Sequence, residues 1–205
     1  MGFFRTRNSF INIITNLGLT TNLKLCFDAS DSNSYDPVVQ TDKWLDTSGN
    51  GYDFFRGSGT GGDAADPTFN GTTGGLSASE YWSFDGGDYF TYDTTNEAWM
   101  ETLHQDNAIL TAVGWVQVGA LGGNASLFGT TGTLTTGTGC FFRKGGTNFL
   151  NFQVRNAGVS VALLTTVQSI SEDVWTFVAV SLTEATGAGG AFMAVNDTFE
   201  SFTST

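Results

Sequence analysis

The chain is predicted to be all-β, a two-layered β-sandwich with one short helix. Three observations predict it. The first is composition: 27 glycines and 18 phenylalanines with only two prolines in 205 residues supply what many short strands and tight turns require. The second is alternation, cleanest over residues 149–155, where Leu150, Phe152 and Val154 point one way and Asn151, Gln153 and Arg155 the other. The third is turn chemistry between aromatic runs, as where Gly86-Gly87 separates Tyr81–Asp85 from Asp88–Tyr92. A glycine pair tolerates positive φ at both centres of a hairpin turn. A chain of this length buries about 70% of its extended surface on folding, enough to hold one domain without metal or disulfide.

Residues 1–20 are apolar in a way the rest is not, with Phe3, Phe4, Phe10, Ile11, Ile13, Ile14 and Leu17. Phe10, Ile13, Ile14 and Leu17 fit one helical face, and Gly18 would end such a helix. The segment reads either as a first strand or short helix covering the sandwich, or as an N-terminal arm that docks on another subunit. For docking, the residues singled out are Phe3, Phe4, Phe10, Ile11 and Ile14. Residues 21–205 are then the sandwich domain. Asn22–Ala29 alternates Leu23, Leu25 and Phe27 against Lys24 and Cys26, as a first strand would.

A loop rich in Asp, Ser and Asn runs to Thr41, followed by Trp44-Leu45-Asp46-Thr47-Ser48-Gly49-Asn50-Gly51, turn residues hung on a tryptophan. Residues 56–79 carry almost no large apolar side chain and read as an exposed functional loop or a poorly ordered one. In the Gly86-Gly87 hairpin, Phe84 should face Tyr89 and Trp82 should face Thr91.

Thr94–Asp106 is the expected helix, capped by Thr94 or Thr95, with Glu97 early and Ala98, Met100, Glu101 and Leu103 as helix formers. Strands are expected at 108–118, 149–155, 159–164, 174–182 and 191–195, the last leading into an Asn196-Asp197 turn. Trp44, Trp115 and Trp175 lie where burial is expected.

Charge narrows the partners. Twenty acids against eight scattered bases give −12 at neutral pH, which repels phosphate backbones and anionic membrane surfaces alike. No stretch approaches the ~20 apolar residues of a membrane-crossing helix. Met1–Leu19 is broken by Asn8, Ser9, Asn12, Thr15 and Asn16, so no secretion signal is expected. Cys26 and Cys140 read as buried thiols, with a bridge left open if their strands are neighbours.

In order as well as in kind, these pieces resemble the laminin G-like, concanavalin A-like jelly-roll family. The order runs through the Trp44…Asp46…Ser48-Gly49-Asn50-Gly51 turn, Phe84-Asp85-Gly86, the Trp115 strand, Trp175-Thr176-Phe177-Val178-Ala179 and Val195-Asn196. The resemblance covers about Thr21 onward. Family members usually continue for a strand or two beyond the Val-Asn turn, so Phe199 and Phe202 are expected to supply a short last strand, or a neighbouring chain to complete the edge. Without a signal and with an apolar N-terminus, the chain looks like a bacteriophage virion component, made in the host cytoplasm. The resemblance implies a non-enzymatic capsid decoration, spike or tail protein, homo-oligomeric and held by other virion proteins. The alternative is a carbohydrate-binding module adhering to host or environmental glycans.

No catalytic machinery is expected. Glycoside hydrolysis needs two carboxyls about 5–9.5 Å apart, and Glu80, Glu97, Glu101, Glu172, Glu184 and Glu200 show no Glu-x-Asp-x-x-Glu strand. Glu101 and His104 have Glu-x-x-His spacing in a single copy, where facing helices need two. Calcium is the one metal entertained: Asp85 and Asp88 flank the glycine pair and should oppose each other, which is unfavourable without a cation or hydrogen-bond donors. The Asp46–Asp53 run mimics part of a calcium loop, but Gly57 stands where the bidentate glutamate would be. For a glycan, the aromatics singled out are Tyr52, Tyr81, Tyr92 and Trp99, each also readable as packing.

Overall fold

The computed structural model describes residues 8–59, 62–92, 98–105, 107–119, 123–131, 136–183 and 188–203. The chain falls into two compact units, Met1–Glu97 and Ala98–Thr205. The composition change at residue 20 falls inside the first. The strands of both pair antiparallel and far outweigh helix in the chain, so the protein is all-β.

The first unit opens with helix α1, Phe10–Asn16. Asp28 Oδ2 accepts the Phe10 N–H at 2.8 Å, satisfying one donor that a helix start leaves open. Gly18 ends the helix at φ +69°; its N–H reaches the Thr15 carbonyl while the Leu19 N–H reaches that of Ile14. That double closure is the Schellman arrangement, which needs a left-handed residue after the last turn. The expected strand over Asn22–Ala29 does not form. Its polar groups bond to side chains and backbone of a following turn instead of to a neighbouring strand: the Cys26 N–H reaches Asp46, and the Cys26 carbonyl receives the Thr47 N–H and hydroxyl.

Strands β1 (Lys43–Trp44), β2 (Phe54–Arg56) and β5 (Phe90–Tyr92) form one small sheet in the order β1-β2-β5, while β3 (Thr68–Asn70) pairs with β4 (Tyr81–Ser83). The expected hairpin between β4 and β5 is therefore absent: Trp82 faces Phe69, and Thr91 faces Phe55. Burial decides this. Splitting the two strands lets Trp82 and Phe90 meet at 5.0 Å, with Tyr35 and Trp44 packed on Trp82 at 4.4 and 5.8 Å. Phe27 extends the cluster onto Trp44 and Phe54. The stretch 56–79, lacking apolar bulk except Phe69 and Leu76, contains β3 because Arg56 ties it down. Its guanidinium donates to the carbonyls of Thr41 and Pro67 and lies over the Trp82 ring.

The second unit begins with α2, Ala98–Glu101, continued by a 3-10 turn at Thr102–His104. This is shorter than the expected 94–106 helix, whose capping residues Thr94, Thr95 and Glu97 lie outside the described residues. With α1, which takes the short-helix reading of residues 1–20, the described residues hold two short α-helices. Eight strands follow: β6 (Ile109–Val116), β7 (Ala125–Gly129), β8 (Gly139–Lys144), β9 (Phe149–Asn156), β10 (Val159–Ser169), β11 (Thr176–Thr183), β12 (Ala188–Val195) and β13 (Thr198–Thr203). They make two four-stranded sheets, β10-β9-β8-β7 and β13-β12-β11-β6. Phe199 and Phe202 do lie in a last strand, β13.

One core lies between these sheets. Phe142, Leu150 and Phe152 from the first meet Val178, Val180 and Met193 from the second, all nearly inaccessible to water. Each such side chain contributes about 1.5–3 kcal/mol by burial. The sheets are also joined along one edge. Glu200 on β13 accepts the N–H groups of Val167 and Gln168 at 2.7 and 2.9 Å, where β10 bulges between Thr165 and Ser169 and loses ladder partners. Glu200→Ala is expected to lower the second unit's stability by about 1–2 kcal/mol in urea denaturation. An unchanged midpoint would show water replacing the carboxylate at no cost.

Candidate functional site

The turn motif that dominates the sequence is a hydrogen-bonded knot. Asp46 Oδ1 accepts the N–H groups of Cys26 and Ser48, both at 2.9 Å, and its Oδ2 accepts the Ser48 hydroxyl at 2.6 Å and the Tyr52 N–H at 3.3 Å. Asn50 Nδ2 then donates to the carbonyls of Leu23 and Lys24. Gly49 and Gly51, at φ +94° and +72°, let the chain turn tightly enough for this. Asp53 Oδ1 takes the Asp46 N–H. All four contacts to Asp46 are donors, so its chemistry here is that of an anchor for backbone.

The calcium candidates are built the same way. Asp88 Oδ2 accepts the Asp85 N–H at 3.0 Å, and Asp85 Oδ1 accepts the Gly87 N–H at 2.9 Å. The Asp85–Asp88 segment is an acid-bridged turn linking strands of different sheets, not the tip of a hairpin. Among the described residues, no three acids, histidines or cysteines group as metal ligands would.

The aromatics singled out for glycan lie on different elements. Tyr81 lies on β4 and Tyr92 on β5, in separate sheets, Tyr52 follows the Asp46 knot, and Trp99 is in α2 of the other unit. All four are half-buried. Of the docking residues, Phe3 and Phe4 lie outside the described residues, and Phe10, Ile11 and Ile14 are half-buried on α1. Its exposed apolar residues are instead Ile13 and, beyond its end, Leu17 and Leu19.

The cysteines, His104 and Glu80 have the following surroundings. Burial pushes both thiols up from their ordinary value, and Cys26 and Cys140 are free. His104 Nδ1 lies 3.3 Å from the Thr130 hydroxyl, which also accepts the Cys140 N–H. Glu80 accepts the N–H and hydroxyl of Ser77 at 2.7 and 2.6 Å.

What sequence reasoning missed is the outer face of sheet β13-β12-β11-β6. Trp115, expected to be buried, is 63% exposed. The reason is parity: Leu110 and its even-numbered neighbours on β6 enter the core, which turns Ile109, Val113 and Trp115 outward. Across the register Trp115 faces Phe177, Val113 faces Ala179, Ala179 faces Ala194, and Ala194 faces Phe199. Trp115 and Phe177 rings meet edge to face at 5.7 Å, and Thr111 and Ser181 share a hydroxyl bond at 2.9 Å. Phe192 and Phe199, the latter 72% exposed, complete the patch. None of these side chains ionises, although the chain carries −12. The outward alternation of Ile109, Val113 and Trp115 was the signal that could have found it.

Comparison of the chain with protein-family models, characterised proteins and solved structures finds no match.

Two outcomes follow from the acid-bridged turns. Asp46→Ala, which strands three N–H groups, should cost the first unit about 2–4 kcal/mol and speed reaction of Cys26 with a thiol reagent. Second, Ser77 hydroxyl and backbone donors hold Glu80 below the usual carboxylate range, and Ser58 does so for Asp63. A depressed folded-state pKa stabilises above the unfolded value, near pH 4, and that contribution disappears as pH falls through the folded value. Tyrosine and tryptophan fluorescence should therefore report loosening of the first unit below about pH 4, and Glu80→Gln should flatten that response.

Proposed function

We propose that the protein is a non-enzymatic structural component of a larger assembly, its second unit joined to another copy of the same chain through the outer face of β13-β12-β11-β6. The observation that carries this reading is an uncharged, aromatic sheet face on a strongly acidic protein. Exposed Ile109, Val113, Trp115, Phe192 and Phe199 share one sheet face, and apolar patches of this kind on soluble proteins mark interaction sites. A second copy is the occupant that charge favours. Two chains at −12 repel wherever acids face each other, and this face is where they can approach without that cost. Sheets meeting face to face pack about 10 Å apart with interdigitated side chains, and Trp115 and Phe199 are the anchors for such a contact.

The jelly-roll, concanavalin A-like identity and the virion setting are proposed on the sequence resemblance alone. A capsid decoration, spike or tail protein uses a fold of this kind as a scaffold held by its neighbours. Outward polar substitutions should leave the sandwich folded, since they touch no core contact. In sedimentation velocity the protein should run as a dimer or larger, and Trp115→Thr with Phe199→Thr should run as a monomer of about the chain's 21.8 kDa. A wild-type protein that stays monomeric at every concentration would overturn the reading.

A further inference from the structure

The opposite outer face of the same sandwich, on sheet β10-β9-β8-β7, has unlike chemistry. Alternation that sends Cys140, Phe142, Leu150, Phe152 and Val154 toward the core sets Phe141 and Arg143 on β8 and Asn151, Gln153 and Arg155 on β9 on the opposite side. There Phe141 and Gln153 are buried beneath their neighbours, and Arg143, Asn151 and Arg155 are half-buried. In register, Phe141 faces Gln153, with the Arg143–Asn151 pair on one side and the Gly139–Arg155 pair on the other. The two arginines therefore flank one central pair from opposite directions. Arg143 folds back over the Phe141 ring, its guanidinium 4.6 Å from the ring centre. Arg155 bends to the Gly158 carbonyl.

Among the described residues neither guanidinium is paired with an acid. The ion pair found among the described residues, Arg56 with Asp66, is in the other unit. The Nε–H of both Arg143 and Arg155 is buried and has no hydrogen-bond partner. Burial, and then the charge of Arg155, lower the pKa of Arg143 from its ordinary value. Two like charges with unmet donors on a protein of net charge −12 form an arrangement that an oxyanion relieves, since a guanidinium fork matches two anionic oxygens.

We propose that Arg143 and Arg155 form an oxyanion-binding site that takes a single carboxylate or sulfate group on an otherwise neutral, hydroxyl-rich ligand such as a sugar acid. The single charge follows from the field: two cations attract one anion locally, while a chain of net charge −12 disfavours a polyanion. The hydroxyl-rich body follows from the neighbours. The same side carries Ser160, whose hydroxyl accepts the Gln153 amide, and Thr165, whose hydroxyl accepts the Asn151 amide and keeps its own proton to donate. It also carries Asn151, whose amide nitrogen donates to Leu150 and Thr165, and the exposed Leu163 opposite Gln153, on which the apolar face of a sugar ring can rest. This inference stands apart from the docking reading, which concerns the other sheet.

The test is nitrogen-15 NMR of the arginine Nε–Hε groups of the whole chain, titrated with sodium glucuronate, sodium sulfate or glucose at constant ionic strength. Glucuronate should move the Arg143 and Arg155 signals together and saturably, with a millimolar midpoint, and glucose should leave them in place. Arg143→Gln, which removes one of two repelling charges, should weaken the response at Arg155 by about tenfold or more. Saturation by sulfate at lower concentration than glucuronate would support the site and identify a free oxyanion as its ligand. No saturable shift with either anion, or a response at Arg155 unaltered by Arg143→Gln, would overturn the proposal.

Discussion

Carboxylates that accept backbone N–H groups are what the first unit depends on. Its strands are two or three residues long, so sheet ladders satisfy few of its backbone donors, and a donor left unmet away from water costs as much as a lost hydrogen bond. Asp28, Asp31, Asp46, Asp63 and Glu80 each accept one or more N–H groups. The acidic excess of the chain is thus partly architectural. Ser34, fully buried, shows how closely this is arranged: its hydroxyl accepts the Asp28 N–H and donates to the Leu45 carbonyl. Against that frame the aromatic cluster of Phe27, Tyr35, Trp44, Trp82 and Phe90 provides the apolar burial.

The second unit is held differently. Two four-stranded sheets satisfy their own backbones, and the side chains between them make one core. This leaves two outer faces free to differ, because neither must serve the interior. One became aromatic and uncharged, the other arginine- and amide-bearing. Such division is how a sandwich hosts binding without altering its fold: function sits on residues of the parity that packing does not use.

Some of this was legible in the residues alone. The period-two alternation of residues 149–155 correctly placed Leu150 and Phe152 inside, and Gly18 marked the end of α1, because both depend on local geometry only. Other readings failed for a shared reason. The Gly86-Gly87 pair has the chemistry of a hairpin, yet β4 and β5 separate because Trp82 buries better against Phe69 and Tyr35 than against a strand across its own turn. Asn22–Ala29 alternates like a strand, but its partners are the Asp46 and Asn50 side chains. Trp115 was misjudged because a tryptophan's size argues for burial while its odd position on β6 decides against it.

The sequence by itself determined the all-β class, the acidic excess of −12, and the local turns at Gly18 and residues 46–51. These follow from composition and from interactions spanning a few residues. Tertiary structure alone decided which strands pair, which parity faces the core, and hence that Trp115, Phe192 and Phe199 share one surface while Arg143 and Arg155 share another. Alternation says that a strand has two faces but not which is buried; that is settled by competition among distant segments for the same apolar contacts.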